Sequence, residues 1–235
     1  MYSNTKRKKV SLRKKTSIMS SDDSTKTIQY VKPKTKGQEE YIRCIAECDI
    51  TLCHGVSGTG KTCISASLAC QYLKEGKIEK ILISRPIVAN SVKTLGALPG
   101  DIREKIDPYL LPIIEEMKKY FGNKHEVGKL ISDKVIELVP LELIRGRTFD
   151  NCFMILDESQ NCSFEQLKCF LTRIGQNSKI VINGDTDQTD LTKDAGGFQR
   201  CIDLLDGVTG IGIVELTQAD IVRNPLIKRI LGALG

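Results

Sequence analysis

At 235 residues, with 40% hydrophobic and 27% charged side chains, the chain is long enough for one well-buried α/β domain plus a tail and too short for two such domains. No apolar run approaches the length that crosses a bilayer, so no membrane segment is expected. The net charge of +6 is unevenly placed: residues 1–36 hold eleven Lys/Arg against two Asp, leaving the rest at −3, which excludes a globular part with an overall positive field.

Residues 1–36 are polar, rich in Ser, Thr and Lys, and carry the basic clusters Lys6-Arg7-Lys8-Lys9 and Arg13-Lys14-Lys15. Such a stretch is expected to be disordered. It serves as a contact for RNA or single-stranded DNA, as a nuclear or organellar address, or as a solvated arm, and it lacks the apolar core of a secretory signal. The nine cysteines are odd in number and form no Cys-x-x-Cys pair, which reads as reduced thiols in a cytoplasmic, reducing compartment. His54 and His125 stand at no metal-ligand spacing.

The domain is expected over residues 37–235. Ile50–His54 is an apolar run that reads as a buried strand, and Cys63–Lys74 reads as a helix stopped near Gly76. Between them, Gly55-Val56-Ser57-Gly58-Thr59-Gly60-Lys61-Thr62 fits Gly-x4-Gly-Lys-[Ser/Thr] at every required position. In that strand, loop and helix context the pattern is a phosphate loop. Its glycines let backbone N–H groups converge on phosphate oxygens, the helix start near Gly60 adds its positive end, Lys61 reaches the β- and γ-phosphates, and the Thr62 hydroxyl ligates Mg2+.

Lys80–Ser84 reads as a second strand ended by Arg85-Pro86. Residues 87–100 read as a loop, and Asp101–Phe121 as a helix broken at Pro108 and Pro112. Val135–Val139 is a third strand, followed by a helical turn over Pro140–Ile144. Cys152–Leu156 is a fourth, continuously apolar strand that delivers Asp157 and Glu158 to its C-terminal end, the edge at which open α/β sheets bind ligands. Ser163-x-x-Gln166 opens a helix with a capping box and a stripe of Leu167, Phe170, Leu171 and Ile174. A fifth strand over Lys179–Asn183, a helix over Phe198–Leu205, a strand over Ile211–Leu216 and a short helix after Pro225 complete a mostly parallel sheet with helices on both faces.

Two acids side by side at a strand end are costly unless a cation neutralises them. With ATP bound, its metal supplies that cation: Asp157 is expected to partner Mg2+ through water or from behind the ion's direct ligands, and Glu158 orients and polarises the attacking water. Gln188 carries an amide that senses the γ-phosphate or positions water, and Arg223 is a candidate arginine finger. Arg85, Arg145 and Arg147 are further candidates for phosphate or nucleic-acid contact, with plain surface solubility as the rival reading.

Taken together, the phosphate loop, Ser84-Arg85-Pro86, Leu98-Pro99-Gly100-Asp101, Lys105-Ile106-Asp107-Pro108-Tyr109, Arg145-Gly146-Arg147-Thr148, Ile155–Asn161, Leu171-Thr172-Arg173, Gly184–Gln188 and Val222–Leu226 resemble the PhoH-like family of P-loop ATPases over residues 33–231. The resemblance implies a RecA-like core related to superfamily 1 helicases, Mg2+-dependent ATP hydrolysis and a link to RNA. It also implies that Gln38 matches the adenine-reading glutamine of helicases. Ser159 stands where the family often has Ala, and Val56-Ser57 where Pro-Ala is usual.

A helicase closes two such lobes on ATP, whereas one is present here. The expectation is therefore a homo-oligomer, with a hexameric ring among its forms, in which ATP lies between subunits and Arg223 reaches the neighbour's γ-phosphate. Two other readings stay open: a nucleotide-switched RNA-binding module with little turnover, and a small-molecule kinase with Arg145 and Arg147 in a mobile lid.

Overall fold

A computed structural model describes residues 31–86, 102–121, 124–185 and 197–222, with backbone alone for 102–110 and 124. Twelve principal elements follow in order: α1 (Lys36–Glu47), β1 (Ile50–Gly55), α2 (Lys61–Lys74), β2 (Lys80–Ser84), α3 (Ile102–Phe121), α4 (Lys124–Ser132), β3 (Ile136–Leu138), β4 (Cys152–Leu156), α5 (Phe164–Leu171), β5 (Lys179–Gly184), α6 (Phe198–Leu205) and β6 (Ile211–Leu216). The strands form one sheet in the order β3-β2-β4-β5-β1-β6, and every neighbouring pair is parallel.

The alternation of side chains along each strand divides the core in two. Phe153, Ile155, Ile81, Ile83 and Val181 point to the face covered by α1, α2, α3 and α4, while Cys152, Met154, Leu156, Leu82, Ile180 and Ile182 point to the face covered by α5 and α6. Both faces of β4 are buried along its whole length, which is why it reads as a continuous apolar run. Among the described residues, no helix is long and apolar enough to cross a membrane.

Helix α3 corrects the expectation of breaks at Pro108 and Pro112, because it runs unbroken over its 20 residues. Each proline forgoes one helical hydrogen bond at about 3 kcal/mol. Ile113, Ile114, Met117 and Phe121 are all buried against the core, at about 2 kcal/mol each, and this burial outweighs the loss. Tertiary packing overrides the local breakers here.

Two helices have no counterpart in the sequence reading. α1 is capped by Thr35, whose hydroxyl accepts the Gln38 N–H at 3.2 Å, and it buries Tyr41 and Ile45 one turn apart. Gly37 leaves room for a close approach in that first turn: a Cβ there would sit 2.6 Å from the Asp220 carboxylate, which accepts the Gly37 N–H at 3.2 Å. The second unanticipated helix, α4, buries Val127. The short third strand spans Ile136–Leu138 within the expected Val135–Val139, and the turn that follows is a 3-10 helix over Leu141–Leu143.

The capping box of α5 forms as its sequence implies: Ser163 Oγ accepts the Gln166 N–H at 3.2 Å, and Gln166 Oε1 accepts the Ser163 N–H at 2.8 Å. Ser163→Ala is expected to cost about 1 kcal/mol, read as a lower urea midpoint at unchanged slope. A midpoint equal to wild type would show that the cap contributes nothing to α5.

Candidate functional site

The sheet order explains why distant motifs meet. β2, β4, β5 and β1 are consecutive neighbours, so their C-terminal ends set Arg85, Asp157, Asp185 and the loop after Gly55 side by side along one edge. They line a cleft of about 510 Å³ together with Lys61 and Glu158. Its phosphate loop takes three left-handed glycines, Gly55 at φ 133°, Gly58 at 85° and Gly60 at 92°, the last forming the N-cap of α2. A chain turned this way aims successive N–H groups into the concavity, which fits a triphosphate.

The loop side chains divide into inward and outward sets. Thr59 is fully buried, and its hydroxyl donates to the Val56 carbonyl at 2.9 Å, so it stiffens the loop. Lys61 Nζ donates to the carbonyls of Gly55 at 2.5 Å and Val56 at 3.0 Å. Ser57, Gly58, Gly60 and Thr62 face the cleft, and Val222 closes its rim, donating its N–H to the Gly58 carbonyl at 3.2 Å.

Thr62 Oγ1 donates to Asp157 Oδ1 at 2.9 Å, so the two residues expected at the metal stand together. A hydroxyl and a carboxylate are hard oxygen donors that suit Mg2+, an ion that keeps most of its own waters. Burial raises the Asp157 carboxyl above its usual range, opposed by the Arg85 guanidinium, the Thr62 hydroxyl and the Lys61 ammonium. A divalent cation here would offset that desolvation.

Glu158 adopts φ 56°, a left-handed conformation uncommon for a side chain of this size. Its two oxygens are both engaged: Arg85 Nη2 lies 2.5 Å from Oε1, and Gln160 Nε2 donates to Oε2 at 2.6 Å. Gln160 in turn accepts the Asp185 N–H at 3.0 Å, which ties the end of β4 to the end of β5. Beneath this layer, Tyr41 Oη donates to Asn183 Oδ1 at 2.6 Å, Asn183 Nδ2 donates to Ser65 Oγ at 2.9 Å, and Ser65 donates to the Thr62 carbonyl at 3.1 Å. This buried chain pins β5 and α1 to the first turn of α2.

Gln38 is buried, and its amide is committed at both ends: Nε2 donates to the Thr59 carbonyl and Oε1 accepts the Lys34 N–H, each at 2.8 Å. Here Gln38 braces the phosphate loop, and adenine reading would have to exchange these bonds or use the one amide hydrogen left over. Arg147 pairs with Glu137 at 2.6 Å and stacks on Phe149, so it is a structural cation at this position. Gln188 and Arg223 lie outside the described residues.

Sequence reasoning missed Gln160 and the Tyr41–Asn183–Ser65 chain. The available signal was polar residues where apolar ones belong: Asn183 at the end of an apolar strand, and Ser65 and Ser67 in a helix that is otherwise small and apolar. A polar group in such a place must find a buried partner.

Comparisons with known proteins agree with this architecture. The chain is 42% identical to a PhoH-like protein of Bacillus subtilis over 204 residues, 86% of this chain and 63% of that one. It is 34% identical to Protein PhoH of Escherichia coli over 208 residues, 85% of this chain and 57% of that one. The chain thus spans little more than half to just under two thirds of the length of these curated relatives. The large terminase from a thermophilic bacteriophage shares the fold, with a TM-score of 0.58 at 15% identity, covering 87% of this chain and 51% of that one. The family described as PhoH-like protein matches residues 30–235, nearly the whole chain beyond the basic segment. The cleft is therefore that of a RecA-like P-loop fold, and the chain belongs to the PhoH-like protein family.

Proposed function

We propose that this chain binds ATP with Mg2+ and hydrolyses it, coupling turnover to contact with RNA or single-stranded DNA. The observation that carries this reading is the meeting of the phosphate loop with Asp157 and Glu158 across one cleft. Lys61 and the loop N–H groups grip the triphosphate, Thr62 and Asp157 hold the metal, and Glu158 takes up the proton of the attacking water. An Mg2+ ion held by Thr62 and Asp157 would supply positive charge against the triphosphate. Gln188 is assigned to sensing the γ-phosphate, and Arg223 to the charge that develops on it in a homo-oligomer with ATP between subunits.

Nucleic-acid contact is assigned to the basic residues of 1–36, since the remainder of the chain is acidic. All nine cysteines are free thiols, which supports action in a reducing, cytoplasmic setting. The second reading, a nucleotide-switched binding module with little turnover, is favoured by one observation: both oxygens of Glu158 are held by Arg85 and Gln160.

Release of phosphate from ATP, measured with and without oligouridylate or oligodeoxythymidylate, separates these readings. Hydrolysis that stops when EDTA removes Mg2+ and rises with one polymer supports the first. Tight ATP binding with no phosphate released on either polymer supports the switch. Mass measurement in solution with ATP and Mg2+ tests the oligomer, and a strict monomer at full turnover rejects the shared site.

A further inference from the structure

The pair between Arg85 and Glu158 joins the ends of two neighbouring strands, since Ser84 and Leu156, the residues before Arg85 and Asp157, are partners in the sheet. Arg85 stands one residue past β2, its side chain 21% exposed, with Nη2 2.5 Å from Glu158 Oε1 and 3.6 Å from Asp157 Oδ2. One guanidinium thus faces both acids of the proposed reaction centre, closely at Glu158 and more loosely at Asp157. The second Glu158 oxygen is taken by Gln160, itself fastened to the backbone of Asp185. Turning this carboxylate onto a water in the cleft means breaking the charge-assisted bond to Arg85.

We propose that Arg85 is a positioning residue that latches Glu158 and competes with the divalent cation for the two acids, so that turnover requires the guanidinium to withdraw. A cation ligated by Thr62 and Asp157 would repel the guanidinium, and a phosphate oxyanion would draw it away. That oxyanion belongs either to the nucleotide or to a polymer backbone. The latch rests on the hydrolytic reading above for its effect on rate, but not for its effect on metal binding.

Two measurements on the full chain test it. Mn2+ titrated into wild type and Arg85→Ala without nucleotide, followed by the loss of its free paramagnetic signal, is expected to bind the variant at least about fivefold more tightly, because the competitor is gone. Phosphate release by Arg85→Ala at saturating ATP without polymer is expected to rise about fivefold, with a smaller further gain from oligouridylate if the polymer is the source of the oxyanion. An unchanged polymer gain assigns the oxyanion to the nucleotide, and the latch stands.

Mn2+ affinity equal to or below wild type overturns the proposal. So does turnover at or below wild type beside tighter Mn2+ binding, which would make Arg85 a direct contact of the reacting phosphate. If no form hydrolyses ATP, the hydrolytic reading fails and the Mn2+ result alone decides the latch. Arg85→Gln, which drops the charge and keeps amide donors, is read in the same way should Arg85→Ala fail to fold.

Discussion

Glu158→Gln is expected to lower phosphate release from ATP by about 10²- to 10³-fold while nucleotide affinity stays within about threefold of wild type. The change conserves shape and removes only the charge and the ability to take a proton. Glu158 sits beside Asp157 at the cleft, and the phosphate loop that would hold the nucleotide lies across from it, so the proposed reading gives binding and proton transfer to different residues. Removing one of two adjacent negative charges also lowers the cost of ionising Asp157, which Glu158 helps to raise. The metal is therefore not lost with the base.

Lys61→Ala is the contrasting variant. On the proposed reading, deleting that ammonium would remove a charge-assisted contact to phosphate, and ATP binding is expected to weaken by about 10- to 100-fold. Titration with a fluorescent ATP analogue, beside single-turnover phosphate release, separates the two effects. Equal turnover at a measurable rate in Glu158→Gln and wild type would remove Glu158 from the chemistry, whereas negligible turnover in both would leave the nucleotide-switched reading standing.

The division between legible and illegible residues follows from how far each one's role depends on the sheet order. The phosphate loop is local: strand, loop and helix are contiguous, and each glycine answers to a backbone angle within the motif. Asp157 and Glu158 are legible for a related reason, because a strand apolar on both faces must be central, and its C-terminal end must open at the binding edge. The partner of Glu158 was not legible. Arg85 is 73 residues away, and only the adjacency of β2 and β4 turns a candidate phosphate contact into a carboxylate clamp.

Helices α1 and α3 show two opposite failures of local reading. α1 has a capped N-terminus and apolar residues one turn apart, yet Lys36-Gly37-Gln38 looks like the end of the basic segment until Asp220 is seen to receive the Gly37 N–H. In α3, proline overstates the break because its cost is local while the compensating burial is tertiary. Gln38 combines both difficulties. The family resemblance assigns it to adenine reading, while its amide is spent on Thr59 and Lys34.

Gly55→Ala is expected to be the most destabilising single-atom addition in the cleft, at about 3–5 kcal/mol, because two independent costs fall on one residue. Gly55 is the last residue of β1, paired with Leu216 of β6, at φ 133°, a region that side chains rarely enter. A Cβ built there would lie 1.8 Å from the Leu216 carbonyl oxygen and 2.7 Å from its carbon, so relief requires separating two hydrogen-bonded strands. For a domain of this size the loss corresponds to roughly 8–15 °C in Tm. The Gly55 carbonyl also receives Lys61, so the displaced backbone carries the phosphate grip with it, and ATP affinity should fall alongside stability. Gly76→Ala isolates the conformational cost: its φ is 67°, and a Cβ there meets nothing within 4 Å, so only about 1 kcal/mol is expected. Thermal and urea unfolding of both variants checks the difference, and a Gly55→Ala protein within about 1 kcal/mol of wild type would mean that β6 yields and that the loop geometry is not held by it.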